Sequence, residues 1–319
     1  MSIVVVGSVA LDSVYTPFGR AEDALGGSAV YFTTAASVYD RVNVVGVVGE
    51  DFPEDCLGFL RSRDADLRSL QVAPGKTFRW GGRYALDMNS RETLFTELGV
   101  FGEFQPSVPA EFGCSEVVFV GNIHPQLQLE VLQQTEDGDQ TPRLRALDTM
   151  NLWIETTRDE LTEVLRRVDL VLLAEEEVRQ YAGTPSLRVA ARQILDLGPK
   201  RLAIKQGSYG ALLLGADGGY FAAPSFPLDD VVDPTGAGDA FAGGFLGYLS
   251  GRLRSGEALT ERDYQRALVH GNIMGSFACE DFSVGRLRTV TMEDVEDRYQ
   301  KLVGFTHFDS DWRDGGEDG

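Results

Sequence analysis

A chain of 319 residues with 43% hydrophobic and 24% charged side chains can bury a large core, and it has no run of about eighteen apolar residues of the kind that crosses a bilayer. Its 49 acidic against 29 basic side chains leave a formal charge of −20, which repels phosphate backbones and anionic lipid heads and makes nucleic acid and membrane surfaces poor partners. At roughly 100–200 residues per domain the length allows two domains, or one large α/β unit with an appendage.

Only four lysines (Lys76, Lys200, Lys205, Lys301) stand beside twenty-five arginines. An acidic, lysine-poor surface is expected of a protein working in concentrated salt, where self-repulsion is screened. A coding bias toward Arg explains the lysines but not the excess of acid. Cys56, Cys114 and Cys279 are far apart, odd in number and in no metal-ligand spacing, which argues for reduced thiols and a cytoplasmic protein.

In chain order, Met1 to Gly7 lacks a basic leader region and reads as a first strand, Ile3–Val6, not a signal peptide. The stretch 11–20 follows, then a helical segment from Ser28 to Tyr39 and a second apolar run at Val42–Val48. From Lys76 to Phe104 aromatic and polar residues alternate on either side of Asp87-Met88-Asn89-Ser90, which predicts an antiparallel hairpin outside the main sheet. Together with 11–20 it would form a small sheet closing over one end of the core. Further runs lie at Val117–Val120, Leu144–Leu147, Leu170–Leu173, Arg201–Ile204 and Ala211–Leu214. Runs that are apolar on successive residues suit strands buried on both faces, and the intervening helices imply parallel βαβ units. The expected fold is α/β, a doubly wound, mostly parallel sheet with helices on both faces and a small β-sheet lid. One domain would span 1–304, with lid segments at about 11–20 and 76–104 and an acidic tail at 305–319, of which the acidic, Gly-rich residues Asp309 to Gly319 are expected to be frayed.

The sharpest chemical signal is Asp233-Pro-Thr-Gly-Ala-Gly-Asp239-Ala-Phe-Ala-Gly-Gly-Phe245. Pro234 and Gly236 end an extended run, and small residues follow with the periodicity of a tightly packed helix. Gly236, Ala237 and Gly238 then sit at a helix N-terminus, where unpaired amides and the dipole hold an anion. Asp239 in the first turn would lie beside that anion and could accept the proton of an attacking hydroxyl. Asn122 and Asp148 follow strand carboxyl ends, where open α/β sheets bind ligands, although each could simply cap the next helix. His124, His270 and His307 form no ligand set. Trp80, Tyr84 and Phe95 could stack on a sugar or base, or form the lid's own small core.

The thirteen-residue stretch resembles the C-terminal signature of the ribokinase-like, or PfkB, family of carbohydrate and nucleoside kinases, and the resemblance runs from Ile3 to about Leu287. It implies that Asp239 is the catalytic base, that the 236–238 backbone is the anion hole, and that Thr235 helps to bind ATP. By the same resemblance Asp12 grips substrate hydroxyls and Gly26-Gly27 lets the acceptor lie against the backbone. Four residues on, this chain carries Tyr31 where the family usually has Asn, which removes an expected hydroxyl partner. Glu177 matches the family glutamate that reaches Mg²⁺ through water, and Ala174 replaces its Asn. Lys205, Gly207 and Gly210 resemble the nucleotide loop, and Gly271-Asn272 the border of the adenine site. The cofactors implied are ATP, Mg²⁺ and a monovalent cation (K⁺) near the Asp233 loop. The partner would be a small-molecule sugar or nucleoside, and the lid's edges suggest a homodimer. A dehydrogenase finds little support, because Val4-Val5-Val6-Gly7-Ser8-Val9 lacks Gly-x-Gly-x-x-Gly. The alternative is a non-catalytic ligand-binding relative of the sugar kinases.

Overall fold

Ile3, Val4, Val5 and Val6 are all wholly buried, Ile3 and Val5 in one apolar layer and Val4 and Val6 in another. A strand without a polar face is stable only between two layers. The computed structural model, which describes residues 2–136 and 141–307, shows that arrangement. The elements in order are β1 (Ile3–Val6), β2 (Ala10–Thr16), β3 (Gly19–Gly26), α1 (Ser28–Ala36), β4 (Val42–Gly49), α2 (Glu54–Ser62), β5 (Asp66–Ala73), β6 (Phe78–Tyr84) and β7 (Arg91–Glu97). Next come β8 (Val117–Val120), α3 (Pro125–Glu136), β9 (Leu144–Asp148), α4 (Asn151–Thr156), α5 (Arg158–Arg167), β10 (Leu170–Ala174), α6 (Glu175–Ala182) and α7 (Leu187–Leu195). The chain continues through β11 (Arg201–Lys205), β12 (Ala211–Gly215), β13 (Tyr220–Ala223), α8 (Ala237–Leu253), α9 (Glu261–Ala278) and α10 (Met292–Thr306).

The main sheet runs β13-β12-β11-β10-β9-β8-β1-β4-β5. Helices α1, α2, α8, α9 and α10 contribute to the core on one face, and α3 to α7 to the core on the other. The seven expected apolar runs are all strands of this sheet. One of them departs from expectation in direction: β12 pairs antiparallel with β11, and β13 antiparallel with β12. Only residues 206–210 join β11 to β12, too few for a crossover helix, so the chain must turn back. Strand β5 was not legible, because its Asp, Arg, Ser and Gln positions break the apolar run on an edge.

Helix α8 is apolar nearly all round because it packs between α1 and α9. A Cβ on Gly243 would lie 2.6 Å from the Phe32 carbonyl oxygen, and one on Gly244 would lie 2.6 Å from that of His270. Side chains at these positions would push the helices apart.

The second sheet has the order β3-β2-β6-β7, two hairpins joined through a parallel β2–β6 pair. Asp87 closes the β6–β7 turn by accepting from the amides of Asn89 (3.1 Å) and Ser90 (2.9 Å). The first lid segment is longer than expected, since β3 carries it to Gly26. Helix α10 likewise runs two residues past the expected boundary at 304, and the tail from 308 onward lies outside the described residues.

Candidate active site

On the lid sheet, Asp12 of β2 is buried and its Oδ2 accepts a hydrogen bond from the Gly27 amide at 3.3 Å. Gly26 has to be small, because a Cβ there would lie 2.0 Å from that oxygen. Burial pushes the Asp12 carboxyl up to about 7; the Gly27 amide opposes the rise, and the charges of Asp233 and Asp239 add to it. Trp80 of β6 pairs directly across from Asp12, and its indole lies along the strand over Gly82 with the Arg91 guanidinium 5.1 Å from the ring. Phe95 packs instead against Gly81, on the other face.

The loop before α8 is held from within. The carboxylate of Asp233, wholly buried, accepts from the Thr235 amide at 2.8 Å and the Ser283 amide at 3.3 Å. Gly236 adopts φ 73°, the left-handed region that favours glycine, and caps the helix. Ala237's amide donates to the Pro234 carbonyl at 3.2 Å, so one of the three expected anion-hole donors already has a partner. Asp239 stands half-buried in the first turn. Burial raises its carboxyl to about 7, Asp148 and Glu177 add to the rise, and Lys205 opposes it. A Cβ on Gly238 would come within 3.2 Å of the Lys205 Nζ. The Lys205 ammonium therefore stands over Gly238 at the head of α8, and a positive charge beside a helix N-terminus is a setting for a phosphoryl group.

Lys205 ends β11, and its Nζ donates to Asp148 Oδ2 at the end of β9 at 2.5 Å. Burial works against the charge on Lys205, but Asp148 and Glu177 hold it protonated above its ordinary range. Of the three glutamates that open α6, Glu175 bonds Arg179 and Gln206, Glu176 is exposed, and Glu177 turns inward. Its Oε2 accepts from the Ala174 amide at 2.7 Å, the half of a capping box that needs no side chain on Ala174. Burial pushes Glu177 up to about 7, with Lys205 opposing and Asp148 adding.

Asn122 does not cap α3; its Oδ1 accepts from the Trp153 indole at 2.9 Å. Asn272 donates to the carbonyls of Ala223 (3.0 Å) and Pro224 (2.9 Å), pinning the chain that approaches Gly210. Gly271 meets the Phe241 ring between α8 and α9. Gly207 lies under the lid turn, with Asn89 Oδ1 3.9 Å from where its Cβ would be. His270 is boxed by Tyr39, Tyr248 and Tyr299, and burial and then Arg266 bring it down to about 4; His124 accepts from the Gln126 amide, and His307 is exposed.

Two residues noted in the sequence for other reasons, Tyr84 as a stacking candidate and Tyr31 as a departure from the family pattern, meet the 235–236 turn. Tyr84, at the end of β6, accepts a hydrogen bond from the Thr235 hydroxyl at 3.2 Å. Tyr31 is 1% exposed, with its ring against the Gly236 Cα. Alternation in β6 does place Tyr84 on the face of Trp80, but nothing local points to Thr235.

Residues 2–289 match the family model described as pfkB family carbohydrate kinase. The chain is 33% identical over 259 residues to a cytidine kinase of Thermococcus kodakarensis, covering 79% of this chain and 90% of that one. Among solved structures, a nucleoside kinase of Methanocaldococcus jannaschii superposes with a TM-score of 0.74 at 19% identity, covering 94% and 99% of the two chains. An Escherichia coli chain assigned as a ribokinase II, solved with ATP and Mg²⁺, gives 0.75 at 18% identity with the same coverage. The structural neighbours speak for the fold, and the family match over nearly the whole length, joined to the 33% relative, makes this chain a member of the pfkB family of carbohydrate and nucleoside kinases.

Proposed function

We propose that this kinase transfers the γ-phosphoryl group of ATP to a hydroxymethyl group of a nucleoside or sugar, with Asp239 as the base and the 236–238 turn as the anion hole. The observation that carries the reading is the position of Asp239: a carboxyl pushed up to about 7, in the helical turn where the Lys205 ammonium stands over Gly238, and within the electrostatic reach of Asp12. A base of that strength takes a proton efficiently near neutral pH. Lys205 and the amides at the start of α8 stabilise charge on the transferred group, in a setting where burial strengthens their effect.

Asp12, which when ionised accepts hydrogen bonds and donates none, suits a pair of sugar hydroxyls. Trp80 across the strand offers an aromatic surface next to it, and the cytidine kinase relative favours a nucleoside among the acceptors. The nucleotide would lie along 207–210, the 223–224 backbone and Thr235, under the lid turn. Glu177 would be the carboxylate that holds waters of Mg²⁺, an ion that when bound would screen the triphosphate charge. A monovalent cation beside the Asp233 loop and a homodimer through the lid belong to the same reading; all seven residues of edge strand β7 are exposed.

The test is ADP release from the purified protein with ATP, Mg²⁺ and, one at a time, cytidine, adenosine, D-ribose and D-fructose. Acceptor-dependent ADP with a phosphorylated product is the expected result. Nucleotide binding without turnover of any acceptor would favour a non-catalytic relative.

A further inference from the structure

We infer that Tyr84 and Tyr31 clasp the Thr235–Gly236 turn from its two sides, so that Tyr84 is the positioning residue through which the lid sheet sets the geometry of the anion hole. The turn has three fixed points. The Asp233 carboxylate holds the Thr235 amide at 2.8 Å, the Tyr31 ring lies flat on Gly236, and the Tyr84 phenol oxygen holds the Thr235 hydroxyl at 3.2 Å. A Cβ on Gly236 would be 2.2–2.4 Å from Cγ, Cδ1 and Cδ2 of Tyr31, so the ring meets the turn face-on and fills the space that glycine leaves. The Tyr31 hydroxyl is buried and has no hydrogen-bond partner among the described residues, which makes the ring the anchoring part.

The first two fixed points belong to the core and stay with it whatever the lid does. The third comes from the lid. Thr235 and Tyr84 are 151 residues apart, the bond is buried, and Gly236 is the cap from which α8 starts. A small rotation of Thr235 therefore changes where the amides at the head of α8 point. Tyr84 sits on β6, the direct neighbour of β2, which carries Asp12. An acceptor held by Asp12 thus loads the same sheet that holds Thr235. The consequence is coupling: the anion hole reaches its working geometry when the lid is seated, and an unseated lid leaves it loose, which limits wasteful transfer to water.

The inference rests on phosphoryl transfer at Asp239, and its test separates the two. Tyr84→Phe, Thr235→Val, the double variant and Thr235→Ser are compared in the full chain, with cytidine or whichever compound of the acceptor panel is turned over fastest. Each of the first two should lower kcat by about tenfold, Tyr84→Phe with the KM for ATP moving by less than about twofold, and the double variant should have a kcat no lower than that of either. Thr235→Ser, which keeps the hydroxyl, should recover most of the loss. Without any ligand, amide exchange at 236–240 should quicken by about tenfold in Tyr84→Phe, with the β8–β9 amides unchanged. Losses that multiply in the double variant, or wild-type kcat and wild-type exchange in Tyr84→Phe, overturn the clasp. Normal turnover by Asp239→Asn would instead overturn the assignment of the base, and the exchange measurement would still judge the clasp.

Discussion

Asp12, Asp239 and Glu177 are each pushed up to about 7, chiefly by burial, and this acts oppositely on activity and on stability. A base must be ionised, so kcat/KM should rise with pH and level off above about 7. With Asp239 as the proposed base, Asp239→Asn should lower kcat by about 10²–10⁴. Stability runs the other way, because these carboxyls bind protons more tightly folded than unfolded. Their contribution is complete below the ordinary carboxylate range and is lost as pH rises through about 7. His270, brought down to about 4, opposes this between its unfolded value and 4, but it is one group against three. The ligand-free protein should therefore melt at a higher temperature at pH 5.5 than at pH 8. Asp239→Asn should raise the melting temperature at pH 8 by about 2–4 °C for each kcal/mol of repulsion relieved. A melting temperature that climbs from pH 5.5 to 8 would show that the carboxyl cluster is not strained. The Lys205–Asp148 pair is the counterweight: Lys205→Met leaves a buried carboxyl alone and should cost about 3–5 kcal/mol in urea unfolding.

Among the elements, α8 bears the closest tolerances. It must bring Asp239 to the carboxyl ends of β9 and β11, and it does so by lying against α1 and α9 without side chains at Gly243 and Gly244. Gly244→Ala, whose added carbon would meet Met274 Cγ at 2.5 Å and the His270 carbonyl oxygen at 2.6 Å, should lower the urea-unfolding free energy by about 1–3 kcal/mol or more. An unchanged urea midpoint would mean that α9 yields freely. The lid is built on a different principle: aromatic and polar residues alternate along the 76–104 segment on both sides of the Asp87–Ser90 turn, and that was enough to predict the hairpin although every residue of β7 is exposed. The extent of β3 was not readable, since Gly19 to Asp23 are mostly exposed and carry no apolar pattern.

For the molecule as a whole, the −20 charge predicts salt-dependent stability. Carboxylate repulsion opposes compaction at low ionic strength and is screened over about 3 Å at molar salt. The melting temperature should rise from low to molar salt equally in KCl and NaCl at matched ionic strength. A rate that prefers K⁺ while stability does not would place a specific cation beside the Asp233 loop. A melting temperature flat across that range would refute the high-salt reading of the composition.

Strands and the start of α8 were legible because their causes are local. A run such as Val117–Val120 has no polar face to turn to water, and Pro234 with Gly236 can only end one element and begin another. Small side chains at 236–238 followed by Asp239 are what the proposed anion hole and base rest on, and the resemblance extended that proposal to Asp12 and Glu177. What the chain could not disclose were the partnerships. Asp148 meets Lys205 because β9, β10 and β11 lie side by side, Thr235 meets Tyr84 because the lid sheet folds over the head of α8, and Tyr31 finds its place against a glycine 205 positions away. Periodicity reports which way a side chain faces within its own element. Which residue stands opposite is set by strand order and helix packing, and those are settled only when the whole core closes.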